Sequence, residues 1–429
     1  MHSLLRLPWA ALGAVADTAV ALLPPGPAKW QRTITARRDE AAHWHAQGAH
    51  RDVARPLAWF HAPSVGEGLQ ALPVVQRLRQ RGDPPQIATT WFSPSAEPFA
   101  ARFQADLSGY LPFDSGRGAR RVLDAIRPSA LIYAKLDVWP TLTAEAAARG
   151  VPLGMIAATL RAGSGRRGRL ARALLADAYA ALDLVGAISA DDAERLLSVG
   201  VRREALRVTG DSRYDQVWER AQRPPTDQPW RAQLADGRPT LVAGSTWPAD
   251  EAVLLPAWEQ LRLRVPSARL VLAPHEPTAA HLAPLRAWAG TAGLRLVTLD
   301  APDVATADIV LIDRVGVLGD CYGVATAAFV GGGFHAAGLH SVLEPAAFGV
   351  PVLFGPQHVG NRDAERLLAG GGGRGVHDAL SIARCLEAWL GDARAARDNG
   401  EAARRVVQGE RGAADRAVAL VLELLAAGR

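Results

Sequence analysis

Leu57-Ala-Trp-Phe-His-Ala-Pro-Ser-Val-Gly-Glu67 is the stretch that decides how this chain is read. Leu57 to Ala62 is a short β-rich apolar run of strand length, and Pro63 breaks it. Gly66 to Arg79 then follows an amphipathic helical pattern, and a second β-rich run spans Gln86 to Phe92. Strand-helix alternation of this kind implies parallel strands joined by crossover helices.

The alternation continues outward. Leu131 to Lys135, Leu153 to Ala158 and Leu184 to Ile188 read as strands, and Thr141 to Arg149 reads as a helix. The pattern pauses over Gln222 to Gly237, where Pro224-Pro225 and Pro229 stand among few apolar residues, so this stretch is read as a linker. Strands then return at Thr240 to Gly244, Arg269 to Ala273, Leu294 to Thr298, Ile309 to Ile312, Ala328 to Val330 and Val352 to Phe354. From about Ala393 the chain is alanine-rich and helical. A length of 429 residues exceeds one ordinary core, so two α/β domains are expected, residues 26–221 and 238–429, joined by 222–237. Ligands collect at the carboxyl ends of strands in such sheets, which predicts two domains facing a cleft.

Composition narrows the function classes. The hydrophobic fraction of 49% and the charged fraction of 21% exclude wholesale disorder. With Cys321 and Cys385 as the two cysteines, there is no material for a disulfide framework or a cysteine-based zinc site. The net charge is +5, with arginine groups at Arg37/Arg38 and Arg161/Arg166/Arg167/Arg169 that suit either a solvated surface or an anionic partner. Nucleic acid ranks last among such partners, because no recognition motif and no aromatic interleaving accompany the basic groups. Leu4 to Leu23 is apolar but interrupted by Arg6 and Asp17, so residues 1–25 are expected to lie on the membrane as an associating segment rather than span it. A cleaved signal peptide fits less well, since Lys29, Arg32, Arg37 and Arg38 follow.

Three places can carry chemistry. In the first, Ser64 can cap the helix after the Leu57 strand, Gly66 permits close approach, and Glu67 stands in the first turn. A carboxylate there can serve as general base for a sugar hydroxyl, or it can simply satisfy the helix dipole. In the second, Gly331-Gly332-Gly333 leads through Gly338 and His340-Ser341 to Glu344. Clustered glycines before a helix offer backbone amides to phosphate, and Glu344 can accept from ribose hydroxyls. The cluster is neither a Walker loop nor the dinucleotide fingerprint. In the third, Ser245-Thr246 and His275 end two strands with groups that suit a phosphate or serve as ordinary turn residues. His275, His335 and His340 lack metal-ligand spacing, so no metal is expected. No Gly-x-Ser-x-Gly elbow supports a hydrolase.

These strings, taken in order, resemble the 3-deoxy-manno-octulosonic acid (Kdo) transferases. His61 to Glu67 is similar to that family's His-Ala-x-Ser-Val-Gly-Glu signature. Thr89-Thr90, Leu111-Pro-Phe-Asp114, Lys135-Leu-Asp137-Val-Trp139, Val208 to Asp215, Ala243 to Glu251, Ala273-Pro-His-Glu276, Phe329 to Phe334, Gly338 to Pro345 and Pro351 to Pro356 follow in family order. The resemblance implies a GT-B arrangement of two Rossmann-like domains and an inverting, metal-independent transfer. It implies a CMP-Kdo co-substrate, no cofactor, a lipid A precursor as acceptor and a place on the cytoplasmic face of the inner membrane, in contact with its lipids. Carried over residue by residue, Glu67 looks like the base, with Ser64, Gly66, Lys135 and Asp137 on the acceptor side. Arg213, Ser245, Thr246, His275, Gly332, Gly333, His340, Ser341, Glu344 and Asn361 look like donor-side residues. Asp137 stands where the family usually carries Glu, and Ser341 where many members carry Asn. A two-domain transferase for UDP-sugars and a catalytically silent scaffold are the competing readings.

Overall fold

The computed structural model describes Trp9, Gly13, Val15, residues 28–223 and residues 228–428. The expected membrane-associating segment, 1–25, otherwise lies outside the described residues. Among the described residues, no helix is long and apolar enough to cross a membrane.

The chain divides into two compact units, residues 1–215 with 411–429, and residues 216–410. The first unit is built on strands β1 (Leu57–His61), β2 (Gln86–Trp91), β3 (Leu107–Tyr110), β4 (Ala130–Ala134), β5 (Leu153–Ala158), β6 (Leu184–Ala187) and β7 (Leu206–Val208). They form one parallel sheet in the order β3-β2-β1-β4-β5-β6-β7. Successive residues of β1 serve opposite faces: Leu57 and Trp59 join one core, Ala58 and Phe60 the other. A strand buried on both faces is why this run reads as continuously apolar. The chain leaves β1 toward β2 and β3, then returns to place β4 on the other side of β1. That reversal opens a crevice at the carboxyl ends of β1 and β4.

The second unit repeats the plan with β8 (Thr240–Thr246), β9 (Arg269–Pro274), β10 (Leu296–Thr298), β11 (Ile309–Leu311), β12 (Ala327–Val330), β13 (Val352–Phe354) and β14 (Gly373–Gly375). Their order is β10-β11-β9-β8-β12-β13-β14, again all parallel. Here the reversal falls between β8 and β12.

Two boundary expectations need correction. The terminal helix Ala413–Ala427 belongs to the first unit rather than to a 238–429 domain. Its Leu420, Val421, Leu424 and Leu425 pack into the core under β4 and β5. Gly154 in β5 makes room for it, since a side chain there would collide with Leu424. Asp215 fixes the helix start by accepting from the Gly412 and Ala414 amides at 2.7 and 2.8 Å. The expected linker 222–237 is also more than a tether. Within it, Pro229–Leu234 is a short helix whose Trp230 and Leu234 are buried against Val304 and Ala307 in the second unit's core. Pro229 opens that helix at a position where proline is favoured.

Candidate active site

In the first unit, Ser64 is the residue before helix Val65–Arg79, and Glu67 lies in its first turn, 8% exposed. Ser64-Val-Gly-Glu67 has the spacing of a capping box, yet Ser64 makes no cap to the backbone. Its hydroxyl donates to Glu67 Oε2 instead. The other carboxylate oxygen accepts from Lys135 Nζ at 3.0 Å. Lys135 follows β4, so the β1/β4 reversal brings the pair together across 68 residues of sequence. Lys135 has φ 71°, a left-handed conformation that few non-glycine residues adopt. Burial works to raise the Glu67 carboxyl, but the Ser64 hydroxyl and the Lys135 ammonium prevail and hold it below the usual carboxylate range.

That shift sets a pH dependence. Glu67 is ionised down to acidic pH, and its contribution to stability, present above its unfolded pKa, is lost as pH falls through the depressed folded value. Lys135→Met leaves burial opposed by Ser64 and by Glu67's own backbone amide. The acidic limb of the pH–rate profile is expected to move upward. A profile superimposable on wild type contradicts the pairing.

The remaining first-unit residues divide. Gly66 meets no crowding neighbour, since a Cβ there would touch Ser64 Oγ at an ordinary 3.7 Å. Asp137 is paired with Arg166, which also donates to the Leu136 carbonyl at 3.3 Å. Arg166 therefore does not share the exposure of Arg161, Arg167 and Arg169. Arg37, read as part of a surface group, is 2% exposed. It donates to the Leu111 and Phe92 carbonyls at 2.8 and 2.9 Å, lies 4.0 Å over the Phe92 ring, and burial lowers it to about 10. Arg213, expected near the donor, lies in the first unit with its guanidinium on Asp211 at 2.6 and 3.0 Å. His61 is fully buried and hydrogen-bonds Thr90 Oγ1 at 2.9 Å, and burial depresses it to about 3, so it stays neutral.

In the second unit, the segments after β8, β9 and β12 bring Trp247, His275, His335 and His340 together, while Ser245 stands within β8. Trp247 stacks on His335 with centroids 4.2 Å apart and on His275 at 4.6 Å. Its indole donates to His340 Nε2 at 3.0 Å, and His275 stacks on His340 at 4.4 Å. His335 Nδ1 accepts from the Ala337 amide at 3.1 Å. Accepting at one ring nitrogen leaves the ring N–H of His335 on Nε2 and that of His340 on Nδ1. Burial, reinforced by His275, lowers His340. Ser245 has φ 55° where β8 shifts register against β9.

The glycine cluster does not present its amides as expected. Asp250, fully buried, accepts from the Gly332 and Phe334 amides at 2.7 and 2.9 Å and from the Trp247 amide at 2.9 Å. The glycines are there for space: side chains at Gly331 and Gly333 would collide with Ser245 and Gly355, and Gly332 has φ 85°. Nor is the following helix an extended dipole. Leu343–Ala347 spans 5 residues and begins two positions after Ser341, which is exposed. Thr246 is fully buried and gives its hydroxyl to Glu251 at 2.8 Å, so packing rather than ligand access explains it. Asn361 caps helix Arg362–Gly370 with its side-chain oxygen at 3.1 Å from two amides. Asp250 and Trp247 are the residues that sequence reasoning missed, and His335 it weighed only as a metal ligand. Among the described residues, no three His, Cys, Asp or Glu side chains are grouped to hold a metal.

Residues 35–216 match the family model described as 3-deoxy-D-manno-octulosonic-acid transferase (kdotransferase). A 3-deoxy-D-manno-octulosonic acid transferase of Bordetella pertussis is 32% identical over 323 residues, 73% of this chain and 74% of that protein. The Haemophilus influenzae transferase of the same description is 29% identical over 370 residues, covering 85% and 86%. Among solved structures, UDP-GlcNAc 2-epimerase from Neisseria meningitidis bound to UDP-GlcNAc aligns with TM-score 0.59 at 15% identity, over 86% of this chain and 99% of that one. A likeness to an epimerase establishes architecture, two Rossmann-like units in one chain, and leaves the reaction to the site.

Proposed function

Because the chain belongs to the 3-deoxy-D-manno-octulosonic acid transferases, we propose that it moves Kdo from CMP-Kdo to a sugar hydroxyl of a lipid A precursor. It is a glycosyltransferase, and the transfer belongs to lipopolysaccharide synthesis. The observation that carries the finer reading is Glu67, an ionised carboxylate at the β1/β4 reversal in the position of the family's signature acid.

The acceptor oxygen forms its bond to the anomeric carbon as the bond from that carbon to the phosphate oxygen breaks. CMP departs with the electron pair, and Glu67 takes the hydroxyl proton. One displacement at one carbon inverts its configuration. Glu67 accepts from Lys135 on one oxygen and from Ser64 on the other, and each oxygen keeps a second lone pair for the acceptor hydroxyl. A depressed carboxylate is a weak base, and it acts here through its position against the hydroxyl. In the second unit, the N–H groups of His335 and His340 suit the charge that grows on the departing phosphate. The groups this reading aims at the phosphate are imidazole N–H donors, and it calls on no metal or cofactor.

Nucleotide competition tests the donor. CMP is expected to inhibit transfer at least about tenfold more strongly than UMP or UDP. Equal inhibition by UDP supports the UDP-sugar reading instead.

The same reading places the enzyme on the cytoplasmic face of the inner membrane, against its lipids. Leu170 is 68% exposed beside Arg169, with exposed Arg161 and Arg167 nearby in the chain, a pairing of apolar and basic groups suited to anionic headgroups. Leu170→Glu with Arg169→Glu is expected to weaken sedimentation with phosphatidylglycerol vesicles by about tenfold. Undiminished binding removes this surface from the account.

A further inference from the structure

Glu344 stands in helix Leu343–Ala347 with its side chain 31% exposed. Its Oε1 lies 3.5 Å from Arg220 Nη1. Arg220 comes from the helix Ser212–Gln222, and its Nε donates to Asp320 Oδ1 at 3.0 Å. The guanidinium lies against the backbone of Gly319, where a Cβ would stand 2.5 Å from its central carbon. Arg220 is thus seated on a glycine floor and held by one carboxylate while it reaches a second. The planar fork of arginine suits this double duty, and a lysine ammonium does not.

We propose that Arg220 is a positioning residue for ribose recognition: it fixes the Glu344 carboxylate as acceptor for a nucleotide's ribose hydroxyls and so sets the preference for ribo- over 2′-deoxyribonucleotides. This rests on the reading of the second unit as the nucleotide site. A carboxylate can accept from both hydroxyls of a ribose, whereas a protonated or freely rotating carboxyl cannot hold that geometry. Burial raises Glu344; Arg220 opposes that rise and Asp320 adds to it. The other titratable groups facing this pair are Cys321 and Tyr322, both buried and both pushed up by burial, Cys321 to about 12. They are neutral at physiological pH. Removing Arg220 leaves burial and Asp320 unopposed, so Glu344 protonates at higher pH and ribose discrimination fades as pH falls.

The test is calorimetric titration of the full chain with CMP and with 2′-deoxy-CMP, at pH values from about 6 to about 8. The wild type is expected to prefer CMP by about tenfold or more, the value of hydrogen bonds to a charged acceptor. Arg220→Met is expected to narrow that ratio to within about threefold, and to narrow it further as pH falls. Arg220→Lys keeps the charge without the fork and gives an intermediate ratio. Glu344→Gln gives a narrow ratio with no pH dependence, and adding Arg220→Met to it changes nothing more. Arg220→Met with the wild-type ratio at every pH overturns the inference. So does equal, pH-independent weakening of both nucleotides, which marks a structural role. Should Arg220→Met not fold, Arg220→Lys decides: an altered ratio supports the inference and a wild-type ratio overturns it. A wild-type chain that binds no CMP overturns the nucleotide-site reading, and this inference with it.

Discussion

Glu67→Gln is expected to slow transfer by about 10²- to 10⁴-fold, with CMP affinity little changed. The amide keeps an oxygen for Lys135 at the position now 3.0 Å from the ammonium, so the local geometry survives while the basic group is gone. The loss therefore falls on kcat rather than KM, the pattern of an interaction made only in the transition state. A capping role would give the opposite: a small loss of stability and nearly normal turnover. The Ser64 hydroxyl goes to the carboxylate and not to the helix backbone, while Glu67's own amide also helps to hold the carboxyl down, so turnover is what separates the two roles. Turnover within about fivefold of wild type would move the base elsewhere.

Asp250→Ala is expected to cost about 3–5 kcal/mol of stability in the second unit, because it leaves buried amide donors at Trp247, Gly332 and Phe334 without their acceptor. For a unit of this size the melting temperature should fall by about 10 °C or more. The loop after β12 loses its tie to the loop after β8, and the stack of Trp247 with His275 and His335 is expected to loosen, so donor binding weakens as well. Asp250→Asn keeps one acceptor oxygen and should lose roughly half as much. Melting of the alanine variant within about 2 °C of wild type would mean that these amides have other partners.

What was legible in the sequence depended on how local the information was. The β1 strand, its break at Pro63 and the helix after it are contiguous, and burial on both faces makes β1 uniformly apolar. The strands that sequence reasoning passed over are β3, β7 and β14, and each is the edge of its sheet. Two of these edges bury little: Arg207 and Val208 of β7 are exposed, and β14 reads Gly-Arg-Gly, whereas β3 is short, with Ser108 and Gly109 between its apolar ends. The terminal helix was assigned by sequence adjacency, whereas a glycine in β5 decides where it docks.

At the site, Glu67 was legible as a first-turn acid, but its partner depends on the β1/β4 reversal. Asp250 was hidden for a related reason. In the first turn of a helix it looks like any dipole-satisfying acid, while the amides it takes in the glycine loop are 82 and 84 residues away. The glycines were read as a phosphate cradle because amide availability cannot be read from composition. Their strict packing against Ser245 and Gly355 produces the same sequence pattern. Family resemblance supplied the order of the motifs, and the structure gives some of their residues, such as Thr246 and Asn361, packing and capping contacts.

The central claim is the reaction itself. The most direct measurement is to incubate the purified chain with CMP-Kdo and a tetra-acylated, bisphosphorylated lipid A precursor and to read the lipid by mass spectrometry. The account predicts a lipid heavier by one or more Kdo units, absent with Glu67→Gln over the same time, and the mass gain counts the transfers. An unchanged lipid mass, with the donor shown to be intact and accepted by another Kdo transferase in parallel, would contradict it.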